Sequence, residues 1–374
     1  MRWSTRWVGV LLVALSLGAC SSGAPTNAPA GSAQATSAPP TQPAATAPTA
    51  TASTGEATPP TVSPEARTLL FDTDVAADDL VALAFLVAAP HVDIAAITVS
   101  GTGEAHCAAG VDVVLRLLER LDAPEIAVAC GRETPLAGTH EFPSEWRDHV
   151  DGGSGLDLPS TTRAPAAASA VEMIIEQSKQ HTDLTVLATG PLTNLADALM
   201  TDSALADRLG PVYVMGGALH VPGNLVCCGA PEDNDVAEWN IYVDPHAANV
   251  VVDSGITPIF VSLDGTNQVP VTRDFAQRVM AAAGTAASKV LADLFDANPF
   301  MTEGSYFLWD PLAAELAAGY PVGSFSPAAI AVEEAEGPES GFTRPISGEP
   351  NIQYLSSVDP AVAEATLLLV LSGG

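Results

Sequence analysis

Residues 68–89 read TLLFDTDVAADDLVALAFLVAA, and this stretch decides the fold. The apolar run Thr68–Asp72 has the length of a buried strand, and Asp79–Ala89 has the length and composition of a buried helix. Four carboxylates fall between or beside them: Asp72, Asp74, Asp78 and Asp79. We therefore expect a strand, an acidic turn and a helix, which is the first unit of an α/β domain.

The same alternation continues along the chain. Further strands are predicted at Val92–Val99, Glu125–Ala129, Leu184–Ala188, Val212–Met215 and Pro258–Leu263. Helices are predicted at about Ala105–Leu121, Ala166–Gln180, Leu192–Met200 and Pro245–Ser254. Near-continuous apolar strands that alternate with helices predict an α/β fold with a mostly parallel central sheet flanked by helices. Ligands of such sheets bind beyond the carboxyl ends of the strands.

Charge excludes one class of partner. The 374 residues include 14 Lys and Arg against 44 Asp and Glu, which gives a formal net charge of −30. Such a surface repels phosphate backbones, so we expect no nucleic-acid partner. Small neutral ligands and divalent cations are not disfavoured.

The N-terminus has the pattern of an export signal. A basic start and the apolar run Trp7–Leu17 precede Leu17-Gly18-Ala19-Cys20, which is similar to a bacterial lipobox with Cys20 as the lipidated residue. Residues 21–66 are almost all Ser, Ala, Pro, Thr and Gly, which predicts a disordered tether. We expect a lipoprotein signal peptide at 1–20, the tether at 21–66 and a folded domain at 67–374. The lipid would hold the exported chain on the cell membrane, facing outside the cytoplasm; an ordinary signal peptide is the alternative.

Four further cysteines are Cys107, Cys130, Cys227 and Cys228. None has the C-x-x-C spacing of a structural zinc site. One or two disulfides are compatible with this set, and the pairing stays open.

The aspartate cluster at 72–79 predicts a cation site. Clustered carboxylates repel one another unless a cation neutralises them. Hard oxygen ligands suit calcium or magnesium. The alternative is helix capping, which would use only one or two of the four acids.

Three later segments carry polar groups or aromatics at strand ends or on apolar stretches. Thr189–Asn194 is a strand-to-helix turn whose carbonyls could face the same crevice. Asn224, Glu238 and Asn240 offer donors and acceptors suited to sugar hydroxyls. Trp309-Asp310 places an acid beside a large aromatic residue; the alternatives are a core tryptophan and a helix cap.

In this order the segments resemble the calcium-dependent nucleoside hydrolases of the inosine-uridine preferring superfamily. The resemblance covers roughly residues 68–320, and more loosely the tail to about 370. The chain is most similar to the purine-preferring inosine-adenosine-guanosine branch, which carries Trp between the Glu and Asn of Glu238-Trp239-Asn240 and Trp before Asp310. That branch also has a Phe-Pro-x-Glu-Trp-Arg segment, here Phe142–Arg147.

The resemblance implies a metal-dependent N-ribosyl hydrolase. Asp74, Asp79, Asp310 and the Thr189 carbonyl would bind Ca²⁺, and Asp74 would accept the proton of a metal-bound water. The substrate-binding residues would be Asp78, Asn224, Glu238, Trp239, Asn240, Trp146 and Trp309. The family often forms dimers or tetramers, so a homo-oligomer is one expected state.

Purine ribonucleosides are the substrates that the resemblance implies. Trp309 stands where another branch has a His that protonates the leaving base. Trp146 and Trp309 would instead sandwich the purine and raise its basicity, so that water could protonate it. The reaction would release the free base and ribose, in nucleoside salvage.

Two departures concern the sugar site. The family signature usually carries Gly or Asn where this chain has Val75-Ala76-Ala77. After the second strand the family often has Asn or Asp, whereas here the loop reads Gly101-Thr102-Gly103-Glu104. Two alternatives stay open: a nucleoside-binding lipoprotein of a transporter, and a hydrolase of the same fold that acts on pyrimidine or other N-ribosyl substrates.

Overall fold

The computed structural model describes residues 65–225 and 233–374, and an eight-stranded sheet organises them. In spatial order the strands are β3-β2-β1-β4-β5-β6-β10-β7. All neighbours are parallel except β10 and β7, which pair antiparallel at one edge. The predicted α/β fold with a mostly parallel sheet is confirmed.

The strands of this sheet are β1 Arg67–Thr73, β2 Val92–Val99, β3 Val128–Cys130, β4 Leu184–Ala188, β5 Leu209–Met215, β6 Ile259–Val261, β7 Gly323–Ala328 and β10 Ile352–Val358. A separate antiparallel pair consists of β8 Ile330–Val332 and β9 Thr343–Pro345. The third strand begins later than the predicted Glu125–Ala129 and includes Cys130. The other five predicted strands overlap observed ones.

The helices are α1 Ala77–Ala88, α2 Cys107–Arg120, α3 Ser144–Asp151, α4 Ala170–Gln180, α5 Thr193–Thr201, α6 Trp239–Val243, α7 Pro245–Val252, α8 Leu263–Thr266, α9 Arg273–Ala282, α10 Ala286–Ala297, α11 Trp309–Ala317 and α12 Pro360–Leu371. A short 3₁₀ turn, Pro299–Thr302, follows α10. All predicted helices are present. The first begins two residues earlier than expected, which places Asp78 and Asp79 in its first turn.

Two apolar cores cover the faces of the sheet. Leu69 and Phe71 of β1 pack in a core with α1, α2, α10 and α11, whereas Leu70 between them packs in a second core with α4, α5 and α7. Successive side chains of a strand point to opposite faces. Both faces of β1 are therefore buried, which explains why its sequence is continuously apolar.

One disulfide joins Cys107 at the start of α2 to Cys130 at the end of β3. It resolves the pairing that the sequence left open for these two cysteines. Cys227, Cys228 and the predicted lipidation residue Cys20 lie outside the described residues.

Candidate active site

A cavity of about 640 Å³ opens beyond the carboxyl ends of β1, β4 and β5. Every side chain of the domain that the sequence assigned to the site lines it: Asp74, Asp78, Asp79, Trp146, Thr189, Asn224, Glu238, Trp239, Asn240, Trp309 and Asp310. These residues come from segments spread over more than 200 positions. The parallel sheet brings them together because its strands all end at the same edge.

The turn between β1 and α1 holds its aspartates by close packing. Val75 lies at φ 70°, a left-handed conformation that is unusual for a β-branched residue. Two glycines lie against Asp74: a Cβ on Gly103 would come within 2.1 Å of the Asp74 Cβ, and one on Gly190 within 2.7 Å. Both positions therefore need glycine to let the backbone approach Asp74.

Asp79 is oriented by two hydroxyl groups. Its Oδ1 accepts hydrogen bonds from Thr73 and from Thr189, the latter at 2.6 Å. Its Oδ2 is buried and has no hydrogen-bond partner among the described residues. A buried carboxylate oxygen without a partner is costly. Asp79 is thus fixed with one oxygen left for a ligand.

Three carboxylates meet at this point. One oxygen each from Asp78, Asp79 and Asp310 lie within 4.8 Å of one another, and all three residues are buried. Asp74 is outside that trio but close enough for the charge of Asp79 to add to the effect of burial on the pKa of the Asp74 carboxyl. The trio thus includes Asp78, which the resemblance assigned to ribose.

Burial dominates the electrostatics of the acids. It raises the pKa of Asp74 and of Asp310 well above 3.8, with neighbouring carboxylates adding to the effect. Burial, with the charge of Asp79, raises the pKa of Asp78 to about 7. These acids cannot all be ionised side by side without a compensating positive charge.

The donor set fits a hard divalent cation. It offers clustered carboxylate oxygens, an unpartnered Asp79 Oδ2 and the nearby Thr189 carbonyl. Among the described residues that line the cavity, Met215 is the sole sulfur ligand. A bound cation would supply the missing positive charge and lower the pKa of each acid. The described residues could therefore hold a metal ion.

Backbone groups position the polar side chains on the opposite wall. Glu238 caps α6, accepting hydrogen bonds from the backbone N–H groups of Asn240 at 3.0 Å and Ile241 at 3.2 Å, and it also accepts one from Gly217 N–H. Burial raises its pKa to about 7. The Asn224 Oδ1 accepts from the Trp239 N–H at 3.1 Å.

Aromatic rings form the remaining walls. Trp239 stacks on Phe142 with centroids 4.9 Å apart, and Trp146 packs against Trp239 at 5.4 Å. Trp309 meets Tyr306 edge-to-face at 4.7 Å. Trp146 and Trp309 belong to different helices, α3 and α11, and both are partly buried. A flat ligand would meet indole rings from both.

Several cavity residues were not assigned from the sequence. Tyr306 donates through its hydroxyl to Asp78 Oδ1 at 3.0 Å. In the loop after β2, Glu104 lines the cavity, and burial with the charges of Asp78 and Asp79 raises its pKa to about 8. Thr102 instead bonds Ser100 and Thr193. The available signal for Tyr306 was its place in the aromatic segment Tyr306–Trp309, directly before Asp310.

Comparison with known proteins finds similarity along most of residues 65–374. The sequence model described as inosine-uridine preferring nucleoside hydrolase matches residues 69–364. The pyrimidine-specific ribonucleoside hydrolase RihA of Salmonella newport is 34% identical over 235 residues, which are 62% of this chain and 71% of that protein.

Solved structures agree with this match. A plant nucleoside hydrolase, PpNRh1, aligns with a TM-score of 0.73 and 25% identity over 82% of this chain and 99% of its own. A purine-preferring ribonucleoside hydrolase from Gardnerella vaginalis aligns with a TM-score of 0.71 and 27% identity over 82% of this chain and 98% of its own.

The comparisons correct the predicted location. The sequence predicts an exported lipoprotein of the cell membrane, whereas the proteins that match carry the names of nucleoside hydrolases such as RihA, and those names describe no lipoprotein; that prediction is wrong. It depended on residues 1–20, which precede the matched segment 69–364. Within residues 65–225 and 233–374, no helix has the length and apolar character needed to cross a membrane.

Proposed function

Because the chain belongs to the inosine-uridine preferring nucleoside hydrolase family, which hydrolyses N-ribosyl bonds, we propose that it splits purine ribonucleosides into free base and ribose. One observation carries the proposal. The buried acids at the end of β1, the polar wall around Glu238 and the indole rings line a single cavity. A metal site, a sugar site and a base site are thus adjacent.

Members of the family generally bind a metal ion, and we propose Ca²⁺ here. Asp74, Asp79, Asp310 and the Thr189 carbonyl would hold it. Asp78 is close enough to contribute, since its carboxyl oxygen lies within 4.8 Å of those of Asp79 and Asp310. When bound, Ca²⁺ would acidify and position a water molecule near the anomeric carbon.

Asp74 is the proposed general base. The Glu104 backbone N–H donates to its Oδ2 at 3.2 Å, which orients the carboxylate. Asp74 accepts a proton from the attacking water, as a carboxylate within hydrogen-bond reach can do. Because Gly103 and Gly190 pack against it, its position is tightly defined.

Asn224, Glu238 and Asn240 are proposed to bind the ribose hydroxyls, with Asp78 beside them. Their backbone contacts hold them before substrate arrives, so little ordering is required on binding. Carboxylates near the sugar also stabilise the positive charge that develops at the anomeric carbon, by the same electrostatics that stabilise anions in an oxyanion hole.

The purine preference is supported by the tryptophans. Trp146 and Trp309 line the cavity, Trp309 stands beside Asp310, and a solved relative is a purine-preferring enzyme. The matched RihA proteins are named pyrimidine-specific, which favours pyrimidine ribonucleosides as the second candidate. Purine and pyrimidine bases can both stack on an indole ring, but the larger purine ring gains more stabilisation from stacking.

Ribose release decides between these candidates. The chain is incubated with inosine, adenosine, guanosine, uridine and cytidine, and Asp74→Asn serves as the inactive control. Turnover of purines above pyrimidines, lost in Asp74→Asn, is the expected result. Turnover of pyrimidines alone would contradict the purine assignment and keep the reaction. Nucleoside binding without turnover would contradict the hydrolase and favour a binding protein.

A further inference from the structure

His149 lies one helical turn after Trp146 on α3, and both side chains line the cavity. Residues three apart on a helix are neighbours on one face. A base stacked on Trp146 would therefore present its edge, where the ring nitrogens are, toward His149. Among the described residues that line the cavity, His149 is the sole basic side chain.

Asn298 fixes the tautomer of that imidazole. The Asn298 Nδ2 group donates to the carbonyls of Ser154 at 2.9 Å and Leu294 at 3.1 Å, so its Oδ1 faces the other way. That Oδ1 lies 2.9 Å from the His149 Nε2, which must therefore be the donor. The ring forms no other hydrogen bond in the described part of the chain, so Nδ1 remains for a ligand.

The surroundings suit a proton donor. His149 is in the last turn of α3, at the edge of the cavity. The side chain is exposed, so it can regain a proton from solvent after each reaction. A histidine oriented through one nitrogen by a fixed neighbour is a common arrangement in acid–base catalysis.

We propose that His149, positioned by Asn298, donates the proton to the departing base; this rests on the proposed nucleoside hydrolysis. The C1′–N bond breaks and its electron pair goes to the base, whose ring nitrogen takes the proton from the imidazolium. The water oxygen bonds to C1′, and Asp74 takes the water proton. The neutral imidazole is reprotonated by solvent. The chain would thereby have a side-chain acid despite the tryptophan at position 309.

The test compares two leaving groups. The base of inosine (or of uridine, if the nucleoside panel favours it) needs a proton, whereas the nitrophenolate of 4-nitrophenyl β-D-ribofuranoside leaves without one. We expect His149→Ala to lower kcat/KM for the nucleoside by about 10²- to 10⁴-fold, as general acids do. Cleavage of the nitrophenyl riboside should stay unchanged. His181→Ala, at the end of α4 and outside the cavity, is the matched control.

Asn298 acts through His149 and is tested in the same assay. Asn298→Ala should lower kcat/KM for the nucleoside and leave that for the nitrophenyl riboside unchanged. In a chain that already carries His149→Ala, it should cause no further loss of nucleoside turnover. Additive losses would show that Asn298 matters only for the fold of its loop and would overturn its positioning role.

If His149→Ala lowers kcat/KM equally for both substrates, or does not lower it for the nucleoside, the proton-donor role is overturned. Asp74→Asn distinguishes this failure from that of the proposed function. It should abolish cleavage of both substrates, since both need the attacking water. A wild-type chain that cleaves neither would overturn the proposed function and, with it, this inference.

Discussion

The side-chain amide of Asn240 donates a hydrogen bond to the main-chain carbonyl of Thr189 at 2.9 Å. One residue belongs to the proposed ribose site and the other to the proposed metal site. The Thr189 hydroxyl also holds Asp79 Oδ1 at 2.6 Å. The two halves of the cavity are thus connected through a single residue at the end of β4.

Replacing Asn240 should affect both halves. Asn240→Ala removes a proposed ribose contact and the donor to the Thr189 carbonyl, so kcat/KM should fall by about 10- to 100-fold, the equivalent of one or two hydrogen bonds. Affinity for Ca²⁺ should weaken as well. Ribose release and calcium titration calorimetry measure the two effects. Asn267→Ala, on the surface after α8, is the control. An unchanged calcium affinity would show that the two halves are uncoupled.

Substitution of Trp309 tests the purine assignment. Trp309→Ala removes one aromatic wall, worth roughly 0.5–1.5 kcal/mol beyond its apolar area. We expect kcat/KM to fall further for inosine than for uridine, because the purine offers the larger stacking surface. Trp309→Phe should retain most of the preference. A fall that is equal for both nucleosides would place Trp309 in the wall without a role in choosing the base.

Glu315 makes stability depend on pH. It is completely buried in α11, and both carboxylate oxygens lack partners among the described residues. Burial raises its pKa well above 4.5 in the folded chain, so the folded state keeps a proton that the unfolded state releases. Stability is therefore greatest below about pH 4.5 as far as this group is concerned, and it falls as pH rises toward the folded pKa.

Glu315→Gln removes that dependence. The free energy of unfolding of the Glu315→Gln variant, relative to that of wild type, should rise by up to about 3 kcal/mol between a pH near 5 and a pH near 7. The rate of change is about 1.4 kcal/mol per pH unit. Urea unfolding at the two pH values measures the difference, and the exposed Glu349→Gln should show none. A constant difference between variant and wild type would mean that Glu315 is ionised when buried.

The Cys107–Cys130 bond should stabilise the domain. It closes a loop across a sequence separation of 23, for which loop-closure entropy gives about 3 kcal/mol. Reductant should lower the free energy of unfolding by that amount in wild type and leave a Cys107→Ala/Cys130→Ala variant unchanged. Identical urea midpoints for wild type with and without reductant would be the contrary result.

The buried strands and the acidic turn were predictable from the sequence. β1, β2 and β4 are near-continuous apolar runs because most of their residues are buried on both faces of the sheet. The acids that follow β1 lie at the carboxyl edge of that sheet. The last two strands of the sheet, β7 at its edge and β10 beside it, were not predicted. Their side chains are partly exposed, and they lack the apolar run that marks the central strands.

Two features of the site depend on three-dimensional detail. Helix α3 reads SEWRDHVD, a short and mostly polar segment with only Trp146 and Val150 at helical spacing, so the place of His149 beside the cavity emerges only from the fold. The left-handed Val75 sets which aspartates of the turn face one another. Spacing alone therefore could not show that Asp78 joins Asp79 and Asp310.

We propose that the acid cluster holds a metal ion required for nucleoside hydrolysis. The most direct measurement is ribose release from the preferred nucleoside before chelation, after EDTA treatment and after addition of Ca²⁺, with Asp79→Asn beside wild type. We predict activity that EDTA abolishes and Ca²⁺ restores in wild type, with no restoration in Asp79→Asn. Full activity in the presence of EDTA, with no metal bound to the chain by elemental analysis, would contradict a metal-dependent reaction.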